Sequence, residues 1–105
     1  MTPESRLKNA VEIELSRRGY IPLRLNVGRF FTEDGRPIRT GLPKGTSDLE
    51  FIQPKTGRAV FIETKTHPRK PTAEQLNFIS VMQRQGALAG VAYSVEEALK
   101  IIENN

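Results

Sequence analysis

The stretch from Asp48 to Lys65 leaves its backbone few choices. Asp48 to Gln53 is a short, mostly apolar run, and Arg58 to Lys65 is a second run rich in β-branched and aromatic residues. Between them, Pro54-Lys55-Thr56-Gly57 is turn chemistry. The two runs therefore read as a β-hairpin. A loop of those four residues pairs Gln53 with Arg58. Counting back along both strands then sets Asp48 opposite Glu63. Directly opposed residues share a sheet face, with Cβ atoms roughly 4.5–5.5 Å apart. Lys65 joins that face, because side chains alternate along a strand. Two carboxylates and an amine thus converge on one small patch. Like charges placed that close repel, and a divalent metal ion resolves the conflict.

The flanking sequence supplies helices and further strands. Residues 4–18 read as a helix: Leu7, Ala10, Val11 and Leu15 form one apolar stripe, with Glu14 and Arg18 at the same helical spacing. Thr2-Pro3 gives the N-cap and first helical position, and Gly19 the stop. Tyr20 to Val27 reads as a strand whose start Pro22 pushes toward a sheet edge. Gly28 to Lys44 is open between a small hairpin turning at Asp34-Gly35 and a basic loop. Gly41 to Gly45 is irregular, and no Gly-Lys-Ser/Thr follows, so it is not a phosphate-binding P-loop. Thr72-Ala73-Glu74-Gln75 matches a capping box and opens a helix that ends near Gln85-Gly86. Leu88 to Tyr93 is a short apolar strand, and Ser94 to Glu97 is a second capping box before a last helix through Ile102. The order is α-β-(β)-β-β-α-β-α, one α/β domain over residues 1–105.

Composition narrows the chemistry. With no cysteine and one histidine, His67, disulfides, thiolate chemistry and multi-histidine zinc sites are excluded. The start lacks the basic-then-apolar layout of a signal peptide, and no apolar run approaches the roughly 20 residues of a membrane span. The expected compartment is the cytosol. Sixteen Lys and Arg give a net charge of +4, a mild sign of a polyanionic partner. Their placement adds to it. Arg24, Arg29, Arg36, Arg39 and Lys44 precede Asp48, and Lys65, His67, Arg69 and Lys70 follow Glu63, an arrangement suited to a phosphodiester backbone.

Gly45-Thr46-Ser47-Asp48, the turn and strand, Glu63-Thr64-Lys65, and Gln75 at a helix start resemble the PD-(D/E)xK nuclease superfamily, and most closely its VRR-NUC family. The resemblance runs over nearly the whole chain. One departure is Ser47, which stands where the superfamily pattern has proline. The resemblance implies a restriction-endonuclease-like core, a central mixed β-sheet flanked by helices. It also implies Mg²⁺- or Mn²⁺-dependent cleavage of DNA, four-way (Holliday) junctions included, by a homodimer of the stand-alone type found in phages and bacteria.

On that resemblance, Asp48, Glu63 and the backbone carbonyl of Thr64 hold the metal. Lys65 serves the attacking water or the developing charge; a salt bridge to Glu63 or Asp48 is its plainer reading. Gln75 orients the lysine, water or a phosphate; its plainer reading is the capping box alone. Glu4 supports metal-associated water or a second metal, or is simply a first-turn acid favoured by the helix dipole. Glu12 lies within about 80° of Glu4 on the helical wheel, so either could face the site. Arg39, Lys44, His67, Arg69 and Lys70 are candidate DNA contacts, or ordinary exposed polar groups. Phe30 and Phe31 are open to base stacking or a dimer interface, with core packing under the loop the favoured reading. The expected function is a metal-dependent endonuclease on branched DNA. A flap or single-strand nuclease, a nickase of phage replication or packaging, a non-catalytic DNA-binding module and a protein-interaction domain remain as alternatives.

Overall fold

Helix α1 spans Pro3–Arg17 and begins as its sequence dictates. The Thr2 hydroxyl accepts from the Ser5 amide at 3.1 Å, and Pro3 occupies a first-turn position where no N–H is missed. Gly19, at φ +89°, turns the chain out of the helix. The computed structural model describes residues 1–24, 28–40 and 43–103, the side chains of 28–30 and 38–40 excepted. Among the described residues, no helix is long and apolar enough to cross a membrane.

Strands β1 (Ile21–Leu23), β4 (Leu49–Ile52), β5 (Ala59–Thr64) and β6 (Leu88–Ala92) form one sheet in the order β1-β4-β5-β6. Strands β2 (Gly28–Phe31) and β3 (Pro37–Thr40) pair separately. The first two pairings of the larger sheet are antiparallel and the last, β5 with β6, is parallel. The sheet is thus mixed, as expected. Helix α2 (Ala73–Arg84) makes the crossover that a parallel pair requires, and α3 (Val95–Glu103) closes the fold.

The hairpin register is the one the turn implies. Leu49 pairs with Ile62 and Ile52 with Ala59, and the Gln53 amide donates to the Arg58 carbonyl at 2.8 Å. Alternation then sorts the side chains. Leu49, Phe51, Val60 and Ile62 join Val11 and Leu15 of α1 and Ala98 and Ile102 of α3 in the core. The opposite face carries Phe61, whose ring meets Phe78 of α2 edge-on at 5.2 Å. Pro22 sits on the edge strand β1, where its missing N–H breaks no ladder.

The length of the first strand and the place of Phe31 differ from expectation. The predicted strand from Tyr20 is regular only as far as Leu23, and residues 25–27 of that prediction lie outside the described residues. The segment after Gly28 takes the hairpin alternative, turning through Gly35 at φ +84°. Because this ribbon is a sheet of its own, Phe31 does not pack into the core: it is 67% exposed, against the favoured reading. The Phe30 side chain lies outside the described residues.

Candidate functional site

The end of β5 brings the acidic hairpin residues together. Asp48 stands one residue before β4, and its amide donates to Glu63 Oε1 at 3.2 Å. The Asp48 carboxylate faces Thr64, accepting from its amide at 3.0 Å and its hydroxyl at 2.6 Å. Lys65 Nζ lies 3.6 Å from Glu63 Oε2. Glu63, Thr64 and Lys65 are all buried.

Gln75 completes the group from the first turn of α2. Its Oε1 accepts from the Thr72 amide at 2.9 Å, which closes the capping box. That bond fixes the amide's orientation, so Nε2 points the other way and donates to Glu63 Oε2 at 3.1 Å. The cap and the site share one side chain. Glu63 is thereby held by the Asp48 backbone, Gln75 and Lys65 together.

Burial and the neighbouring Asp48 push the Glu63 carboxyl up to about 7, against a smaller opposing pull from Lys65. Burial also raises Asp48, although the Thr64 hydrogen bonds oppose it. Two oxygen donors placed against each other in a poorly solvated site suit a hard divalent cation. Among the described residues, no group of three or more His, Cys, Asp or Glu side chains is placed to hold a metal ion. A cation here would draw on two carboxylates and a main-chain oxygen, and Mg²⁺ ordinarily keeps several waters. The residues present fit such a group.

The other sequence candidates surround this centre. Glu4 pairs with Arg69 at 3.6 Å, and its charge reaches Asp48. Glu12 is held by Arg24 through two bonds of 2.8 and 2.9 Å. Lys44 Nζ lies 3.7 Å from Glu74. The His67 ring stacks on Tyr93 at 4.4 Å, and the Tyr93 hydroxyl donates to the Arg69 carbonyl at 2.7 Å, bracing the loop after Lys65. Lys70 is exposed, and the Arg39 side chain lies outside the described residues.

Sequence reading passed over two residues. Glu50 is 8% exposed, with its carboxyl raised to about 7 by burial and by Asp48. Lys8 lies near enough to lower both Asp48 and Glu50. These two line a cavity of about 170 Å³ with Glu12, Leu23, Arg24, Asp48 and Leu49. Alternation from Asp48 would have found Glu50. A one-turn step from Glu4 or Glu12 along α1 would have found Lys8. Larger hollows of about 340 and 380 Å³ lie around Arg58 and Ala87, at the other end of β5, and no carboxylate lines them. Of these three cavities, the smallest is the one that Asp48 lines. Ser47, at the superfamily's proline position, buries a hydroxyl that has no hydrogen-bond partner among the described residues.

No family model and no curated protein matches the chain. Its fold is similar to that of a solved structure described as a VRR_NUC domain, with a TM-score of 0.66 and 25% identity over 99% of this chain and 98% of the other.

Proposed function

Starting from a chain that belongs to the VRR-NUC family of the PD-(D/E)xK superfamily, we propose that it is a metal-dependent endonuclease acting on branched DNA, four-way junctions among its substrates. The observation that carries this reading is the convergence on Glu63 of the Asp48 backbone, Gln75 and Lys65 at a buried sheet end. A structural salt bridge needs neither the second carboxylate nor the directed amide.

In this reading Asp48, Glu63 and the Thr64 carbonyl hold Mg²⁺ or Mn²⁺. When bound, the ion supplies positive charge to the phosphodiester and acidifies a water. Lys65 Nζ stands 3.6 Å from Glu63 Oε2, beside the carboxylates that would hold the ion. It takes part in moving the water's proton or balances the charge that develops on the phosphate. Gln75 keeps Glu63 in one rotamer, which holds the donor set in place before DNA arrives. Glu4 bears on Asp48 from the helix side.

Arg69, Lys70, His67, Lys44 and Arg39 are the proposed DNA contacts. The ion pairs of Arg69 and Lys44 join exposed side chains, and such pairs contribute about 0–1 kcal/mol. A DNA phosphate displaces them at little cost. One chain of this size carries one such site, so symmetric cutting of a junction requires a homodimer whose two-fold axis matches that of the substrate.

The test is cleavage of a labelled panel: four-way junction, flap, fork, duplex and single strand. Paired symmetric cuts on the junction are the expected result. Preference for the flap or the single strand would move the reading to those substrates. Salt-sensitive binding without cutting in any metal would make the chain a DNA-binding module.

A further inference from the structure

Strands β2 and β3 pair with each other and, among the described residues, join no strand of the larger sheet. The radius of gyration is 14.8 Å, against about 13 Å for a compact domain of this length, in keeping with a ribbon that stands off the core. The tip of the ribbon satisfies itself. The Thr32 amide donates to the Arg36 carbonyl at 2.8 Å, and the Arg36 amide donates back to the Thr32 hydroxyl oxygen at 2.9 Å. Asp34 accepts from the Thr32 hydroxyl and pairs with the Arg36 guanidinium at 3.0 Å. The charge of Asp34 is thus balanced within the turn.

The strands behind the tip are not satisfied in this way. Arg29 is paired directly with Arg39, and Phe31 with Pro37. Alternation puts these four residues on one face of the ribbon. On that face Phe31 is 67% exposed, and Pro37 is exposed as well. Like charges directly opposed across a ribbon repel, and an exposed aromatic ring is unfavourable in water. Both effects weigh on a two-stranded ribbon, which is marginal by itself. A partner that is anionic and offers flat apolar faces relieves both, and unstacked nucleic acid is such a partner. A second copy of the chain, docked by the same patch about a two-fold axis, would instead bring two arginine pairs into one small interface.

We propose that the β2–β3 ribbon is a branch-point arm: Phe31 stacks on a base that the branch has freed from its neighbours, and the Arg29–Arg39 pair supplies charge for the phosphates beside it. This rests on the branched-DNA reading above and adds to it the device that tells a branch from plain duplex. The arm is rooted at the catalytic end of the fold. It follows Arg24, which lines the same cavity as Asp48, and so Phe31 lies no further than about 25 Å from Arg24 along the chain. In a duplex every base is already stacked, and freeing one is costly. At a branch point much of that cost is met beforehand. The ring therefore selects shape and not sequence, because every base has a face to stack on.

The experiment is binding of the whole chain to a labelled four-way junction and to a duplex of equal length, in EDTA and again in Ca²⁺, read by fluorescence anisotropy. Wild type is expected to hold the junction about tenfold or more tighter than the duplex. Phe31→Ala should lower that ratio by about fivefold or more with duplex affinity little changed, and Phe31→Tyr should keep it. Arg29→Gln and Arg39→Gln should weaken both DNAs alike and reduce the salt dependence. With 2-aminopurine at the branch point, the fluorescence change on binding should be lost in Phe31→Ala and kept in Phe31→Tyr. Phe31 lies outside the core, so Phe31→Ala should melt with wild type. Full junction preference in Phe31→Ala overturns the arm. So does a wild-type dimer that sediments as a monomer in Phe31→Ala, which would put the ring between two copies. A wild type that cuts the junction yet binds both DNAs alike overturns the arm and leaves the proposed function standing. One that neither cuts nor prefers the junction overturns both.

Discussion

The Gln75 side chain divides its amide between the N-cap of α2 and Glu63, and the two roles separate by substitution. Gln75→Ala loses the reciprocal half of the capping box and is expected to cost about 1 kcal/mol in urea unfolding. Cleavage should fall further than that loss explains, by tenfold or more at temperatures where the variant is fully folded. A drop in stability with cleavage unchanged would confine Gln75 to the cap. At this scale the sequence was partly legible. Hairpin counting placed Asp48 opposite Glu63, and the capping-box pattern placed Gln75 at N3. Alternation puts Glu50 on the Asp48 face, but its burial was not legible, because that depends on the neighbouring strand and helix being in place. The ion pairs of two arginines were hidden for a related reason. Arg24 and Arg69 look free in the sequence, but each meets a glutamate of α1 that is distant along the chain.

Between residue and fold stands the loop ahead of Asp48, which is docked on the first turn of α2. Gly45 has φ +88°, and a Cβ there would lie 2.4 Å from the Glu74 carbonyl oxygen. That contact joins the segment leading into Asp48 to the helix bearing Gln75. Gly45→Ala is expected to destabilise the protein by about 3 kcal/mol or more, through left-handed backbone strain and collision with a main chain that cannot yield. Gly57 in the hairpin turn has φ +71° but open space around it. Its alanine variant should lose only about 1 kcal/mol. Equal losses in urea titrations of the two variants would mean that the contact with α2 is not part of the fold's support. Elements with capping or turn chemistry at their ends, such as α1, α2 and the β4–β5 hairpin, were readable in advance. The β2–β3 ribbon was only half readable. Asp34-Gly35 marked its turn, but nothing local says whether a ribbon lies over the core or stands apart, and Phe31 is exposed because it stands apart.

Across the whole molecule, the cluster makes metal-free stability depend on pH. Glu50 and Glu63 both bind their protons more tightly when folded, each raised from 4.5 to about 7. Folding is therefore favoured below pH 4.5 relative to neutral pH, and the advantage is lost as pH rises toward 7. The full shift corresponds to at most about 3 kcal/mol for each carboxyl group. In EDTA, Tm should fall between pH 5 and pH 8, and Glu50→Gln should flatten the fall. A Tm that rises over this interval would contradict the account of the buried acids. The mixed sheet and its helices were legible as a whole because motif order, turn signals and apolar periodicity agreed. Substrate shape and pairing of chains are surface properties, and local patterns do not encode them. The central claim is that Asp48, Glu63 and Lys65 form a metal-dependent phosphodiesterase centre. The most direct measurement is cleavage of a labelled four-way junction by wild type and Lys65→Ala, each with Mg²⁺, Mn²⁺ or EDTA. The expected result is cutting by wild type that needs the metal and falls by a hundredfold or more in the variant, with the variant still folded. Cutting that persists in EDTA, or that Lys65→Ala retains in full, would contradict it.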